Sequence, residues 1–141
     1  KGTALYTNLN VEHLEKIHHS SMSMIVARYQ LFDVLSVYRF SDSSDIEEFT
    51  NKVKSYINFT KTTIVLGDFN VDLLKLPENK FSQNLKECGF KQLVLQATHI
   101  SGGLIDHVYA YLPNGEQCEV FKIHPLYYSD HDAVCCILKF P

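Results

Sequence analysis

Thr62-Thr63-Ile64-Val65-Leu66-Gly67-Asp68-Phe69-Asn70 is the stretch on which the reading of this chain turns. The run from Thr62 to Leu66 is β-branched or apolar with no polar alternation, as suits a strand covered on both faces. A glycine ends the run, and a carboxylate and an amide follow two residues apart. In extended backbone Asp68 and Asn70 project from the same side. Open α/β sheets carry their sites at the carboxyl ends of strands, where such side chains stand over a crevice. The pair can orient an attacking water, the carboxylate taking its proton and the amide holding its geometry. It can equally be a turn, with Gly67 supplying an unusual dihedral and Asp68 or Asn70 bonding its own backbone.

Two later stretches have the same character. Leu104-Ile105-Asp106-His107-Val108-Tyr109 places a carboxylate inside an apolar strand. A buried carboxylate is costly unless it meets a cation, a metal or a donor. His131, in Ser129-Asp130-His131-Asp132, is the partner to expect. Asp106 would accept from one imidazole nitrogen, fix the tautomer, and leave the other nitrogen facing a substrate. Two carboxylates flanking an imidazole also suit a site for a divalent metal and a phosphate. His107 follows Asp106 directly, so in a strand it points to the opposite face.

Around these stretches the chain reads as one α/β domain of order βββαβαββββ. Strands are expected at 2–7, 24–29 and 32–38, the last two forming a hairpin. Ser44 with Glu47 forms a capping box opening a helix to about Phe59, with Ile46, Phe49, Val53 and Ile57 on its apolar face. A second helix runs from about Asn79, with Phe81, Leu85 and Cys88 on one side and Gly89 just past its end. Strands are expected again at 90–95, 104–111, 119–123 and 133–140. The segment 10–21 is polar, His-rich and weakly periodic, and carries no assignment.

At 141 residues with 45% hydrophobic and 21% charged content, the chain can bury a core of its own. No run of about 18 apolar residues is present, so no membrane partner is expected. The formal net charge of −3 does not advertise a nucleic-acid binder, although a few phosphate contacts need only a local basic patch. Cys88, Cys118, Cys135 and Cys136 contain no CxxC pair and read as buried free thiols of a reducing, intracellular compartment. His13, His18 and His19 lack a metal-ligand spacing and read as a solvated face. Tyr127-Tyr128 reads as packing in preference to a base-stacking surface. The first residue is Lys1, which suggests a piece of a larger multidomain polypeptide.

Gly67-Asp68-Phe69-Asn70, Ile105-Asp106-His107-Val108 and Ser129-Asp130-His131 resemble, in order, the last three signature blocks of the endonuclease/exonuclease/phosphatase superfamily. The likeness spans roughly Leu35 to Phe140. It is nearest to the endonuclease domains of eukaryotic mobile elements, retrotransposon-type or helicase-associated. Val37-Tyr38-Arg39 is similar to their Tyr-Arg-Pro-Pro segment, and Gly89-Phe90-Lys91-Gln92-Leu93 leading to Ala97-Thr98 to a further stretch. The resemblance implies a four-layer α/β sandwich, two packed β-sheets with outer helices, here lacking its first strands. It implies metal-assisted attack of water on a phosphodiester of DNA, with Mg²⁺ or Mn²⁺. Asp68 would position or deprotonate the water, with Asn70 helping to hold it. Asp106 would orient His131 on the scissile phosphate, Tyr38 would reach that phosphate, and Asp130 with Asp68 would lie at the metal. A chromosomal substrate would imply a nuclear location. The family's early blocks, an Asn-ended strand and a metal-binding Glu, have no counterpart in this chain. A catalytically inactive remnant or interaction module, and a small-molecule or lipid phosphoesterase of the same superfamily, are the alternatives.

Overall fold

The computed structural model describes residues 2–41 and 45–141. Its larger sheet has six strands in the order β1-β2-β3-β4-β6-β5. In chain order these are β1 (His13–His18), β2 (Met22–Arg28), β3 (Phe32–Arg39), β4 (Thr62–Asp68), β5 (Lys91–Gln92) and β6 (Asp106–Tyr111). A second sheet pairs β7 (Gln117–His124) with β8 (Ala133–Lys139). Helix α1 (Ile46–Lys54) joins β3 to its parallel neighbour β4, and α2 (Lys80–Glu87) follows β4.

Side-chain alternation assigns the two faces of the large sheet. Met22, Met24, Val26, Leu35, Val37, Val65 and Tyr109 point to one face and pack on Phe49 and Val53 of α1 and Phe81 and Leu85 of α2. Ile64, Leu66, Val108 and Ala110 point to the other, against Cys118, Val120, Ile123, Val134, Cys136 and Leu138 of the small sheet. A register shift between Val120 and Lys122 turns Phe121 outward and lets Ile123 face the same cluster as Val120. Two packed sheets, with both helices on the outer face of the large one, make the α/β sandwich expected from the sequence. Each fully buried Phe contributes about 1.5 to 3 kcal/mol by removal from water, and Phe49, Phe69 and Phe81 form one cluster under the sheet.

Several local expectations need correction. Residues 2–7 form no strand; they lie over the sheet, with Thr3 Oγ1 2.6 Å from Ser36 Oγ and the Tyr29 hydroxyl donating to Thr7 Oγ1. The unassigned 10–21 segment supplies β1 instead, paired throughout its length with β2. Ser44 lies outside the described residues; Asp45 caps α1, accepting from the Glu48 N–H at 2.8 Å. The helix ends at Lys54, short of Phe59, because Asn58 Oδ1 accepts from the Thr60 N–H and hydroxyl and closes a turn there. The strand expected at 90–95 is paired only over Lys91–Gln92, since the Gln92 amide bonds both polar groups of the Val94 backbone. Gly89 does sit past α2 with a φ of +95°, as a helix-ending glycine should.

The four cysteines are free and half-buried. Cys136 packs inward, and burial, then the neighbouring Cys136 thiol, pushes Cys118 up to about 11. His13 and His18 are exposed, while His19 is half-buried beside Glu48 at 3.1 Å. Tyr127 and Tyr128 do not pack as expected: they are 100% and 74% exposed and touch each other edge to face. Among the described residues no helix is long and apolar enough to cross a membrane.

Candidate active site

Strand register does the first part of the positioning. Tyr38 at the end of β3 is level with Asp68 at the end of β4, and Asp68 is level with Asp106 at the start of β6. Since β6 runs antiparallel to β4, all three lie at one edge of the sheet. Alternation then fixes their direction. Leu66 and Val108 face the small sheet, so Asp68 and Asp106, each two residues away, face it too. Val37 packs toward the helices, which turns Tyr38 to the same side as the carboxylates.

Gly67 makes the close approach of β3 and β4 possible. A Cβ built there would stand 1.8 Å from the Val37 carbonyl oxygen, and φ is +142°. Past Asp68 the chain turns sharply, with Asn70 in the left-handed region at φ 49°. The Asn70 N–H donates to Asp68 Oδ1 at 3.0 Å, and Asn70 Nδ2 donates to the Arg39 carbonyl at 2.6 Å. Thus the turn expected of this segment is formed. The turn holds one Asp68 oxygen, and the other faces His131.

The small sheet delivers the imidazole. Residues 129–132 lie along residues 98–100 through a His99–His131 bridge, with Ile100 N–H on Asp130 O and Asp132 N–H on Thr98 O. His131 Nδ1 stands 3.1 and 2.9 Å from the two oxygens of Asp106. Its Nε2 is 3.7 Å from Asp68 Oδ2. An ionised carboxylate only accepts, so Nδ1 carries a proton and Nε2 is the nitrogen turned to the Asp68 side.

Electrostatics follow from this crowding. Burial opposes a charge on His131, but the hydrogen bond to Asp106 and the charges of Asp106, Asp68 and Asp130 outweigh it, so the imidazole titrates above its ordinary value. Burial, together with the Asp106 charge, raises Asp68 despite the Asn70 N–H and the two nearby histidines. His107 points the other way, stacked on Phe69 and bonded to the carbonyls of Val71 and Leu104. Burial holds it down to about 4.

Solved structures of similar shape share one architecture. CdtB, the biologically active subunit of cytolethal distending toxin, matches with a TM-score of 0.63 at 15% identity, over 92% of this chain and 58% of its own. The endonuclease domain of TRAS1, a telomere-specific non-LTR retrotransposon, matches at 0.60 and 15%, over 89% and 67%. An endonuclease/exonuclease/phosphatase family protein from Leptotrichia buccalis matches at 0.57 and 12%, over 95% and 64%. The chain has the endonuclease/exonuclease/phosphatase fold. It spans less than two thirds of the CdtB chain. No protein-family model matches the sequence, and no curated protein does.

On that fold two groups of side chains have the spacing to hold a metal ion, Asp68 with Asp106 and His131, and His99 with Asp130 and His131. The hard oxygens fit Mg²⁺ or Mn²⁺ better than the imidazoles do. Asp106 is committed to His131 and Thr98 and Asp68 Oδ1 to the Asn70 N–H, which leaves Asp68 Oδ2 and the exposed Asp130 carboxylate. Glu12 and Glu15 do not join either group; both belong to the β1 side of the sheet.

Two residues escaped the sequence reading. Thr98, fully buried, donates through Oγ1 to Asp106 Oδ2 at 2.7 Å and accepts from the Asp106 N–H at 3.1 Å. His99 stands edge-on to His131 with ring centroids 4.8 Å apart. The available signal was Thr98-His99 standing just before the Ser101-Gly102-Gly103 turn that leads into the Asp106 strand.

Proposed function

We propose that this chain hydrolyses phosphodiester bonds in DNA, as the nicking endonuclease domain of a mobile element. The observation that carries this is the Asp106–His131–Asp68 line, an imidazole held by one carboxylate with its free nitrogen aimed beside another. The scissile phosphate would lie against His131 Nε2; in the protonated ring, which the surrounding carboxylates favour, the Nε2–H donates to a non-bridging oxygen as negative charge grows in the transition state. Asp68, whose Oδ2 faces the His131 Nε2 side, takes the proton of the attacking water. The water oxygen bonds to phosphorus, the bond to the 3′-oxygen breaks, and that oxygen takes up a proton to give a 3′-hydroxyl and a 5′-phosphate. Tyr38 would reach the phosphate through its hydroxyl, and Asn70 fixes the Asp68 turn. Asp68 and Asp130 would hold Mg²⁺, which supplies charge neutralisation at the phosphate when bound. The retrotransposon endonuclease likeness supports DNA as the substrate, and chromosomal DNA would place the protein in a nucleus. That no Glu joins either metal-spaced group among the described residues favours, as second reading, an inactive module of the same fold.

Nicking of supercoiled plasmid in Mg²⁺, with Asp68→Asn beside the wild type, tests the proposal. Conversion to open circle that needs Mg²⁺ and drops by about 10³-fold in the variant is expected. Equal nicking by both proteins would mark a contaminant, and no nicking by either would leave the inactive module.

A further inference from the structure

His99 is the one side chain of the cluster to which nothing above gives a task. Its ring is held from behind: Nδ1 accepts the Ser101 backbone N–H at 3.1 Å, with Ser101 Oγ at 2.7 Å. A backbone amide can only donate, so Nδ1 of the neutral ring bears no proton and Nε2 does. Nε2 has Asp130 Oδ2 at 3.6 Å, outside hydrogen-bond range. The ring side chain is 21% exposed, against 66% for Asp130, so it is the more shielded of the two. One nitrogen of His99, one of His131 and one Asp130 oxygen lie within 4.8 Å of one another.

This tautomer argues against the metal role that the spacing alone would allow. With its proton on Nε2, His99 offers no lone pair there for a cation. It offers a fixed N–H donor instead, beside a second imidazole donor. The two rings bring one nitrogen each to within 4.8 Å of the other, close enough for donors on both rings to reach oxygens of a single phosphate, each accepting at about 2.8 Å.

We propose that His99 is a phosphate-contacting catalytic residue: its Nε2–H donates to a non-bridging oxygen of the phosphodiester held by His131. This rests on the phosphodiesterase reading and adds a second imidazole donor to it. Since neutral His99 already donates, the contact does not depend on a protonated ring.

Two variants separate the contact from loop structure. In His99→Asn the shorter amide oxygen can still accept the Ser101 N–H, but nothing stands where Nε2 was. In His99→Gln an amide N–H returns near the Nε2 position. The full chain is assayed for plasmid nicking, and His99 Nε2–H is followed by NMR during titration with inorganic phosphate. Expected are a fall in kcat/KM of about 30-fold in His99→Asn, recovery to within a few-fold in His99→Gln, unchanged melting in both, and a phosphate-dependent shift of the His99 Nε2–H resonance. Wild-type nicking that His99→Asn leaves unchanged overturns the His99 proposal and leaves the nuclease reading standing. Equal losses in both variants, with lowered melting, also overturn it, as loop damage. If the wild type does not nick, the nuclease reading fails by itself. His99 is then decided by the titration: no shift with phosphate overturns the contact.

Discussion

The two ends of the large sheet each bury carboxylate in a ring of neighbours, and they do so in opposite ways. At the start of β3, Asp33 is fully buried and meets two fixed cations, Arg28 Nη1 at 2.6 Å and Lys61 Nζ at 2.7 Å. Arg28 goes on to the Tyr56 carbonyl and Lys61 to that of Tyr29, so all three charged groups of this cluster are hydrogen-bonded. At the other end Asp68 and Asp106 share a single histidine between them and keep about a fifth of their side chains open to solvent. One end is neutralised by permanent charges and ties a hairpin to a helix and a strand. The other is left short of positive charge, which costs stability and makes the place chemically useful.

That contrast is open to direct attack. The largest effect is expected at the closed end. Asp33→Ala strands two cations and should cost about 3 to 5 kcal/mol, read as a lowered urea midpoint with an unchanged slope. The next tests His107, below the site on the helix side. Its folded-state value of about 4 lies beneath the ordinary 6.5. Below pH 6.5 the unfolded chain gains a proton that the folded chain refuses, so stability is full above 6.5 and falls as pH drops toward 4. The loss should reach on the order of 3 kcal/mol, seen in melting curves across that window, and should shrink in His107→Phe.

Thr98→Val removes the hydroxyl that clamps Asp106. It should cost about 1 to 2 kcal/mol and weaken nicking, with Thr98→Ser restoring both in parallel assays. The smallest effect is the one that sharpens the contrast most. In Asp68→Asn the amide oxygen can still accept the Asn70 N–H, while the charge facing Asp106 disappears. Because the fold raises the Asp68 pKa, its ionised form is disfavoured there, and the variant should match or exceed the wild type in stability by up to about 1 kcal/mol. A clear loss in thermal melting would show that the open end is not strained.

The sequence made the open end more legible than the closed one. Asp68 and Asp106 announce themselves by interrupting apolar strands, and His131 by standing between carboxylates, so local chemistry was enough. Asp33 sits in an equally apolar strand, but its partners come from a hairpin and from the turn before β4, and no spacing rule links them. Thr98 and His99 were missed for a similar reason. Their roles exist only once residues 98–100 lie beside 129–132, a pairing without helical or strand periodicity. The boundaries that moved, at Lys54 and Gln92, did so because Asn58 and Gln92 side chains bond nearby backbone, which hydrophobic pattern does not register. Segment 10–21 hid its strand because β1 is an edge, with Ile17 its only fully buried residue.

The carboxylates stand on the large sheet, whereas the imidazole arrives with the small one, whose inward residues are all only half-buried. The order in which the molecule comes apart follows from this. The weaker seam between the sheets should open before either ladder of strands does. His131 would then leave both aspartates while the circular dichroism of the chain was still that of the folded state. Gentle heating or low denaturant should silence the site first, and the silence should be reversible.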